Sequence, residues 1–480
     1  MVVLYIILAL IIAFFAIILI RAAMFKPPAE KTRQPEEISF DRDAAVAALQ
    51  ELVRCRTVSY YDPSMEDDAE FEKFIGLLPK LYPEVARVCT MTRLPDRALL
   101  FKWEGIEHSE PSVLMAHYDV VPVNEEGWTK PPFDALIDEN GIIWGRGCLD
   151  TKLTFNGIMY AANHLISQGF KPMQDIYLAF SGGEEVNGPG AANIVDWFEE
   201  QGITPAFVLD EGGAVVENVL PGVKRPCGLI GIAEKGMMNL EFRVSSSGGH
   251  ASSPKPHTPI GILSKACCKV ENRPFKMHIT GPAAEMFDTL GRHSTFAYRL
   301  IFANLWCFGG ILDMLGKKSG GEMNAMLRTT VAFTQASGSQ APNVIPPSAS
   351  FVANLRLNPH DSIDSAVEYI KKVVDDGNVQ LTVGRNAVNP SVISETRCPV
   401  WDKLAETVEE TWPGCIVSPY LMVQCSDSRH YGRISNHVYR FSAADLTAEE
   451  RGSIHSNDEH IRVEVVKRAV EFYIRLIKKC

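Results

Sequence analysis

Met1 to Ile20 carry no charged side chain and are almost wholly Leu, Ile, Val, Ala and Phe. A helix of that length runs roughly 30 Å, the thickness of a bilayer's hydrocarbon layer. The pattern predicts a transmembrane anchor over 1–21. A cleaved signal is the competing reading, but no Lys or Arg precedes the apolar run and Ala22-Ala23 is a weak cleavage site. The polar stretch 22–37, with Pro27, Pro28 and Pro35, reads as a linker. Beyond it, Ala45, Leu49, Leu52 and Val53 recur at helical spacing within Asp41–Arg54.

From there, short apolar strands alternate with helical stretches. Ser112–Met115, Ile176–Phe180 and Ala206–Leu209 each run straight into a polar cluster, with helices expected at Thr154–Gln168 and Ala191–Gln201. That alternation predicts an α/β fold: a mixed, largely parallel sheet with helices on both faces. From about Met238 the texture changes. Asn239–Val244 and Ala349–Leu357 alternate in polarity as half-buried strands do, with helices at Thr258–Glu271 and Ser362–Val374. This predicts a smaller α/β sandwich. The expected organisation is a main domain over 38–237 and 391–480, interrupted by the smaller unit over 238–390. The smaller unit carries its own insertion at about 275–321. The chain ends in a helix, Val463–Lys478.

The length of 480 residues suits about two or three domains. With 46% hydrophobic and 22% charged residues, the chain has the composition of a globular protein. The net charge of −11 and the lack of a basic block argue against a nucleic-acid partner. Eleven scattered cysteines form no CxxC pair, which excludes a thiolate zinc site and any recognisable disulfide framework. Arg21, Lys26, Lys31 and Arg33 follow the apolar run and lean towards a cytoplasmic face by the positive-inside rule.

The polar clusters carry the candidate chemistry, because ligands on parallel sheets gather at the carboxyl ends of strands. The first cluster presents His117, which suits zinc through a ring nitrogen, with Asp119 placed to accept the other ring N–H. Gly145-Arg146-Gly147 opens a tight loop presenting Asp150. Gly183-Glu184-Glu185 offers one carboxylate for a metal and one for a water. Asp210-Glu211-Gly212-Gly213 and the late Ser453-Ile454-His455 add further donors. Two zinc ions need about five protein ligands, one of them a shared carboxylate. Singly, each residue has a plainer reading, as a turn Asp, a surface Glu pair or a hydrogen-bonded His. In sequence, after one apolar strand and then the next, coincidence becomes a poor account.

With these motifs, the chain from about Ile38 onwards resembles the M20 metallopeptidases. Within them it is similar to the carboxypeptidase S branch, which includes the N-fatty-acyl-amino-acid synthase/hydrolases. The resemblance implies a dizinc hydrolase cutting an amide beside a free carboxylate, in N-acyl amino acids or peptides. It implies two Zn2+ per chain, held by His117, Asp150 (bridging), Glu185, His455 and one of Asp210 and Glu211, with Glu211 slightly favoured. Glu184 would be the general base and acid, Asp119 the partner of His117, and His250 of Gly249-His250-Ala251-Ser252 the oxyanion donor. Asn343, Arg356 and Arg429 would grip the substrate carboxylate. The smaller unit would be the family's lid and the seat of a homodimer. The resemblance favours a lumenal or extracellular face, or a secreted form if the first helix is cleaved, in conflict with the charge bias. The insertion departs from the family pattern. Its Phe287, Phe296, Phe302, Leu305, Trp306, Phe308, Leu312 and Leu315 are expected to be extra lid core or, more sharply, an apolar acyl channel. The alternative is an inactive membrane-anchored binding protein on the same fold.

Overall fold

The computed structural model describes residues 1–28 and 35–480; the middle of the expected linker, with Lys31 and Arg33, lies outside the described residues. An eight-stranded sheet dominates. At its centre, the strands Gln174–Ser181, Glu107–His117, Phe207–Val216 and Val438–Leu446 run parallel to one another. Antiparallel strands Thr90–Leu94 and Ala98–Trp103 close one edge; Cys227–Glu234 and Ile416–Met422 close the other.

The apolar runs are continuous because both faces of this sheet are covered. On one face, Leu99, Phe101, Leu114, Phe180 and Leu209 pack beneath the helices Arg42–Val53, Lys152–Ser167 and Val463–Lys478. On the other, Leu100, Val113, Met115, Ala179 and Val208 meet Ile194, Val195 and Phe198 of the helix Gly190–Glu200. Alternate residues of one strand thus serve opposite cores, as a two-residue period requires. The closing helix buries Val466, Val470, Tyr473, Ile474 and Ile477. Each such side chain contributes about 1.5–3 kcal/mol.

A second sheet has four antiparallel strands in the order Thr330–Ser337, Ser348–Leu357, Gly236–Ser245, Gln380–Val383. The helices Pro259–Glu271 and Ile363–Val374 cover it around Leu240, Phe242, Leu355 and Ile370.

The insertion forms three helices, Gly281–His293, Phe296–Phe302 and Leu305–Ser319, and a fourth, Gly321–Leu327, follows it. Its helices do not join the core of the second sheet, although Phe275 at its start does. Phe287, Phe302 and Leu312 build a separate cluster with Val216, Leu229 and Ile416 of the first sheet. The expectation of extra lid core is corrected accordingly: the loops on either side of the insertion let it reach back to the first sheet, whose edge strand offers apolar surface.

Val2–Met24 is a single helix, long and apolar enough to cross a membrane. All eleven cysteines are free.

Candidate metal centre and active site

Because the four central strands run parallel, their carboxyl ends lie on one edge of the sheet, and the polar clusters converge there. His117 is the last residue of its strand. Asp150 lies just before the helix Lys152–Ser167. Glu184 and Glu185 occupy one turn after the strand Gln174–Ser181. Glu211 lies within the strand Phe207–Val216. Gly213 lets that strand press against its neighbour: a Cβ there would sit 1.8 Å from the Leu229 carbonyl oxygen. His455 comes from a turn beyond the helix Ala448–Ser453 and adopts φ of 60°. A non-glycine residue in that region costs about 1–3 kcal/mol.

Two groups of donors result: His117, Asp150 and Glu211, and Asp150, Glu185 and His455, with ligand atoms in each within 4.8 Å of one another. Asp150 belongs to both. Its Oδ1 lies 3.2 Å from His117 Nε2, and its Oδ2 lies 2.9 Å from His455 Nε2. His117 Nε2 is also 3.2 Å from Glu211 Oε1, and His455 Nε2 is 3.0 Å from Glu185 Oε2.

Asp210 stands outside both groups. Its carboxylate accepts hydrogen bonds from the Ser428 N–H at 2.9 Å and the Glu211 N–H at 2.9 Å. Adjacent strand residues point to opposite faces, so only one of the pair can look into the cluster.

Asp119 is fully buried, and its role is broader than expected. His117 Nδ1 donates to the Asp119 main-chain carbonyl at 3.0 Å, which fixes the ring and frees Nε2. The Asp119 carboxylate accepts from the Ser59 hydroxyl at 2.7 Å and from the N–H groups of Glu184 and Glu185 at 3.1 and 3.2 Å.

Glu459 performs the same service for Asp150, and sequence reasoning passed over it. One carboxylate oxygen of this buried residue accepts the N–H groups of Gly147, Leu149 and Asp150; the other pairs with Arg146 at 2.6 Å. Arg146 in turn donates to the Ser456 carbonyl at 2.8 Å. The one local signal was on its partner, an Arg between two loop glycines; Glu459 itself carried none. A second buried pair, Glu234 with Arg440, anchors the loop Ser426–Arg429 through the Ser426 N–H and both serine hydroxyls.

Burial pushes the Glu185 and Glu211 carboxyls up to about 7, and the charge of Asp150 adds to the effect. Burial likewise raises Glu184 well above the usual carboxylate range; His117 opposes this, while Asp427, Glu211 and Glu185 reinforce it. Burial works against charge on Asp150 too, yet the His117 and His455 rings hold its carboxyl below the ordinary range. Crowded carboxylates of this kind hold protons unless cations replace them. The donor set of imidazole nitrogens and carboxylate oxygens fits zinc, and Glu185 Oε1 is buried with no hydrogen-bond partner among the described residues.

The cluster opens into a cavity of about 710 Å³, which Asp150, Glu184, Glu185, Glu211 and His455 all line. Apolar side chains also line it: Met286 of the insertion, Met323 and Met326 of the helix Gly321–Leu327, and Val216, Leu229 and Met422. None of the eight aromatic and leucine residues expected to form an acyl channel lines it. Phe287, Phe302 and Leu312 are core, while Phe296, Trp306 and Leu315 are exposed.

The expected substrate-binding residues divide. Arg429 keeps Nε and Nη1 buried with no hydrogen-bond partner among the described residues. Arg356 reaches Cys425 Sγ at 3.4 Å, at the cavity wall. His250 and Asn343 are brought together elsewhere, beside a two-residue ladder in which His250 pairs with Val344 and the Ala251 N–H donates to the Asn343 carbonyl. Both residues are exposed, and neither lines the cavity.

A mixed sheet flanked by helices, with acidic and histidine donors at its strand ends, is the architecture of a metal-dependent hydrolase. Residues 113–479 match Peptidase family M20/M25/M40, and the chain belongs to that family. It is 34% identical to the N-fatty-acyl-amino acid synthase/hydrolase PM20D1 of Xenopus tropicalis, over 97% of this chain and 93% of that one. It is 33% identical to the probable carboxypeptidase S-like 2 of Dictyostelium discoideum, over 94% of this chain and 89% of that one. Among solved structures, an M20 family metallo-carboxypeptidase from Sulfolobus solfataricus shares the fold, with a TM-score of 0.65 and 16% identity over 90% of this chain and 98% of the other.

Proposed function

We propose that the protein is a membrane-anchored, two-zinc amidohydrolase that cleaves the amide bond of N-acyl amino acids or peptides beside a free carboxylate. The observation that carries this reading is the division of Asp150, one oxygen towards His117 and the other towards His455. His117, Asp150 and Glu211 would hold one ion; Asp150, Glu185 and His455 would hold the other. Zinc supplies, when bound, Lewis acidity and a water pKa lowered to about 7.

The chain's own groups do the rest. Glu184, half-buried and with a raised pKa, takes a proton from water and returns it to the departing amide nitrogen. Arg429, whose guanidinium has unpartnered buried N–H groups, takes the substrate carboxylate, with Arg356 beside the cavity as a second cation. His250 and Asn343 reach the scissile group when the second sheet closes as a lid, or from a second copy of the chain, and His250 then donates to the oxyanion. The methionines that line the cavity favour an apolar acyl group on the amine side, in keeping with the name of the Xenopus relative. The helix Val2–Met24 anchors the protein as a single span.

The test is release of free amino acid from long-chain N-acyl amino acids and from dipeptides by the full-length, zinc-loaded protein. Glu184→Gln is expected to lower turnover by about 10²–10⁴-fold with metal content unchanged. Chelation is expected to abolish turnover and zinc to restore it. A protein that holds two ions yet releases nothing from either substrate class is a binding protein, and the enzymatic reading falls.

A further inference from the structure

The bent helix pair Phe296–Phe302 and Leu305–Ser319 touches the carboxyl-terminal half of the N-terminal helix. Arg21 Nε donates to the Ala303 carbonyl at 3.1 Å, and Asn304 Nδ2 donates to the Ile18 carbonyl at 3.2 Å. The rings of Phe14 and Trp306 meet edge to face at 5.8 Å. The contact therefore climbs seven residues, from Arg21 to Phe14. At about 1.5 Å of rise per residue, that is roughly 10 Å. A spanning helix that ends near Arg21 places Phe14 well inside a hydrocarbon layer about 30 Å thick. Whatever packs against Phe14 must enter the layer with it.

The pair is built to do so. No Asp, Glu, Lys, Arg or His occurs from Leu300 to Leu312. The two helices, bent by 101°, are together apolar enough to cross a membrane. Trp306, Ile311, Met314 and Leu315 are 60%, 45%, 59% and 51% exposed, and they continue the bare apolar surface of the N-terminal helix. Soluble chains seldom show such a surface. The polar groups at the corner are satisfied from within, as a lipid environment demands: Asn304 Nδ2 also donates to the Leu300 carbonyl, and Trp306 Nε1 donates to Asn304 Oδ1. Charge returns at Asp313, which is tied to Lys317 and Arg328, and at Lys318, where the chain turns back towards water.

We propose that this helix pair is a second membrane-embedded element, sunk into the leaflet that holds the carboxyl-terminal half of the N-terminal helix, with lipid acyl chains as its occupant. The inference rests on the reading of Val2–Met24 as a span. The helices that flank the pair carry Met286, Met323 and Met326 of the cavity wall, so the dip holds that wall against the bilayer.

The test uses the full-length chain in phosphatidylcholine vesicles. Trp306 emission is isolated as the difference between the wild type and Trp306→Phe. Phospholipids brominated in mid-chain are expected to quench most of it, and aqueous iodide none. Retention of the protein in alkaline carbonate reports separately on the span. Release into the carbonate supernatant would sink both the span and the dip. Retention with Trp306 quenched by iodide overturns the dip alone. Retention with Trp306 shielded from both quenchers overturns it in favour of a second copy covering the patch.

Discussion

Asp119 and His250 represent two ways of holding a functional side chain. Asp119 is fully buried, and its carboxylate accepts three hydrogen bonds from two separate segments. Glu459 repeats the pattern with three N–H groups and a guanidinium. His250 is exposed, and its ring meets only Ser252, at 2.7 Å from the hydroxyl. The contrast follows from electrostatics. Carboxylates crowded together repel one another, so the cluster stays assembled only where surrounding donors have already fixed it. A donor that meets a substrate needs no such frame until the substrate arrives.

That contrast can be broken from either side. The largest effect is expected from Glu459→Gln, which leaves Arg146 buried without its counter-charge. Loss of one partner of a buried pair costs about 3–5 kcal/mol. The denaturation midpoint should fall, and bound metal with it; an unchanged midpoint and metal content would show that the Asp150 loop holds itself. His250→Ala should do the reverse. An oxyanion donor contributes about 10²–10³ in kcat, so turnover falls while metal content and unfolding temperature stay at wild-type values. Loss of metal in that variant would place His250 in the framework instead. Asp119→Asn should weaken metal binding or activity by about 10–100-fold, the usual cost of removing a ligand's supporting partner, as read by competition with a chelator.

The effect that is smallest at any one pH step is spread over several units and concerns the junction between the two sheets. Lys235 is 1% exposed and donates to the carbonyls of Ala325 and Arg328. Burial, helped by the charge of Arg356, lowers its pKa from 10.5 to about 7. Between those values the unfolded chain binds the proton and the folded chain does not. Stability therefore rises with pH across that window, by at most about 1.4 kcal/mol per pH unit from this group. Below about 7 the folded protein must carry the buried charge and the gain is gone. Lys235→Met should flatten that slope in denaturation measured from pH 7 to 10; an unchanged slope would mean the ammonium stays charged in the fold.

The strand-end donors could be read from sequence because each follows a short apolar run, and parallel order puts all such ends on one edge. The choice between Asp210 and Glu211 could not, since it depends on which face the register turns inward. Glu459 was hidden for a related reason. Its partners, Gly147, Leu149 and Asp150, are some 300 residues away, and nothing local marks a side chain that will fold over a distant loop. The insertion misled because aromatic and leucine residues look alike whether they fill a core, line a cavity or face lipid. Only packing separates Phe287, which is buried, from Trp306, which is bare.

The cavity draws its two kinds of lining from different elements. The acidic donors hang from strand ends locked by Asp119 and Glu459, whereas the methionines sit on helices whose apolar cluster is shared with Val216, Leu229 and Ile416 of the first sheet. Mutation of the methionine-bearing helices can therefore reshape what the enzyme accepts while leaving the donors themselves in place. Divergence in diet among descendants of this chain should be written between residues 281 and 327, and a chimera exchanging only that stretch should inherit the donor's tastes.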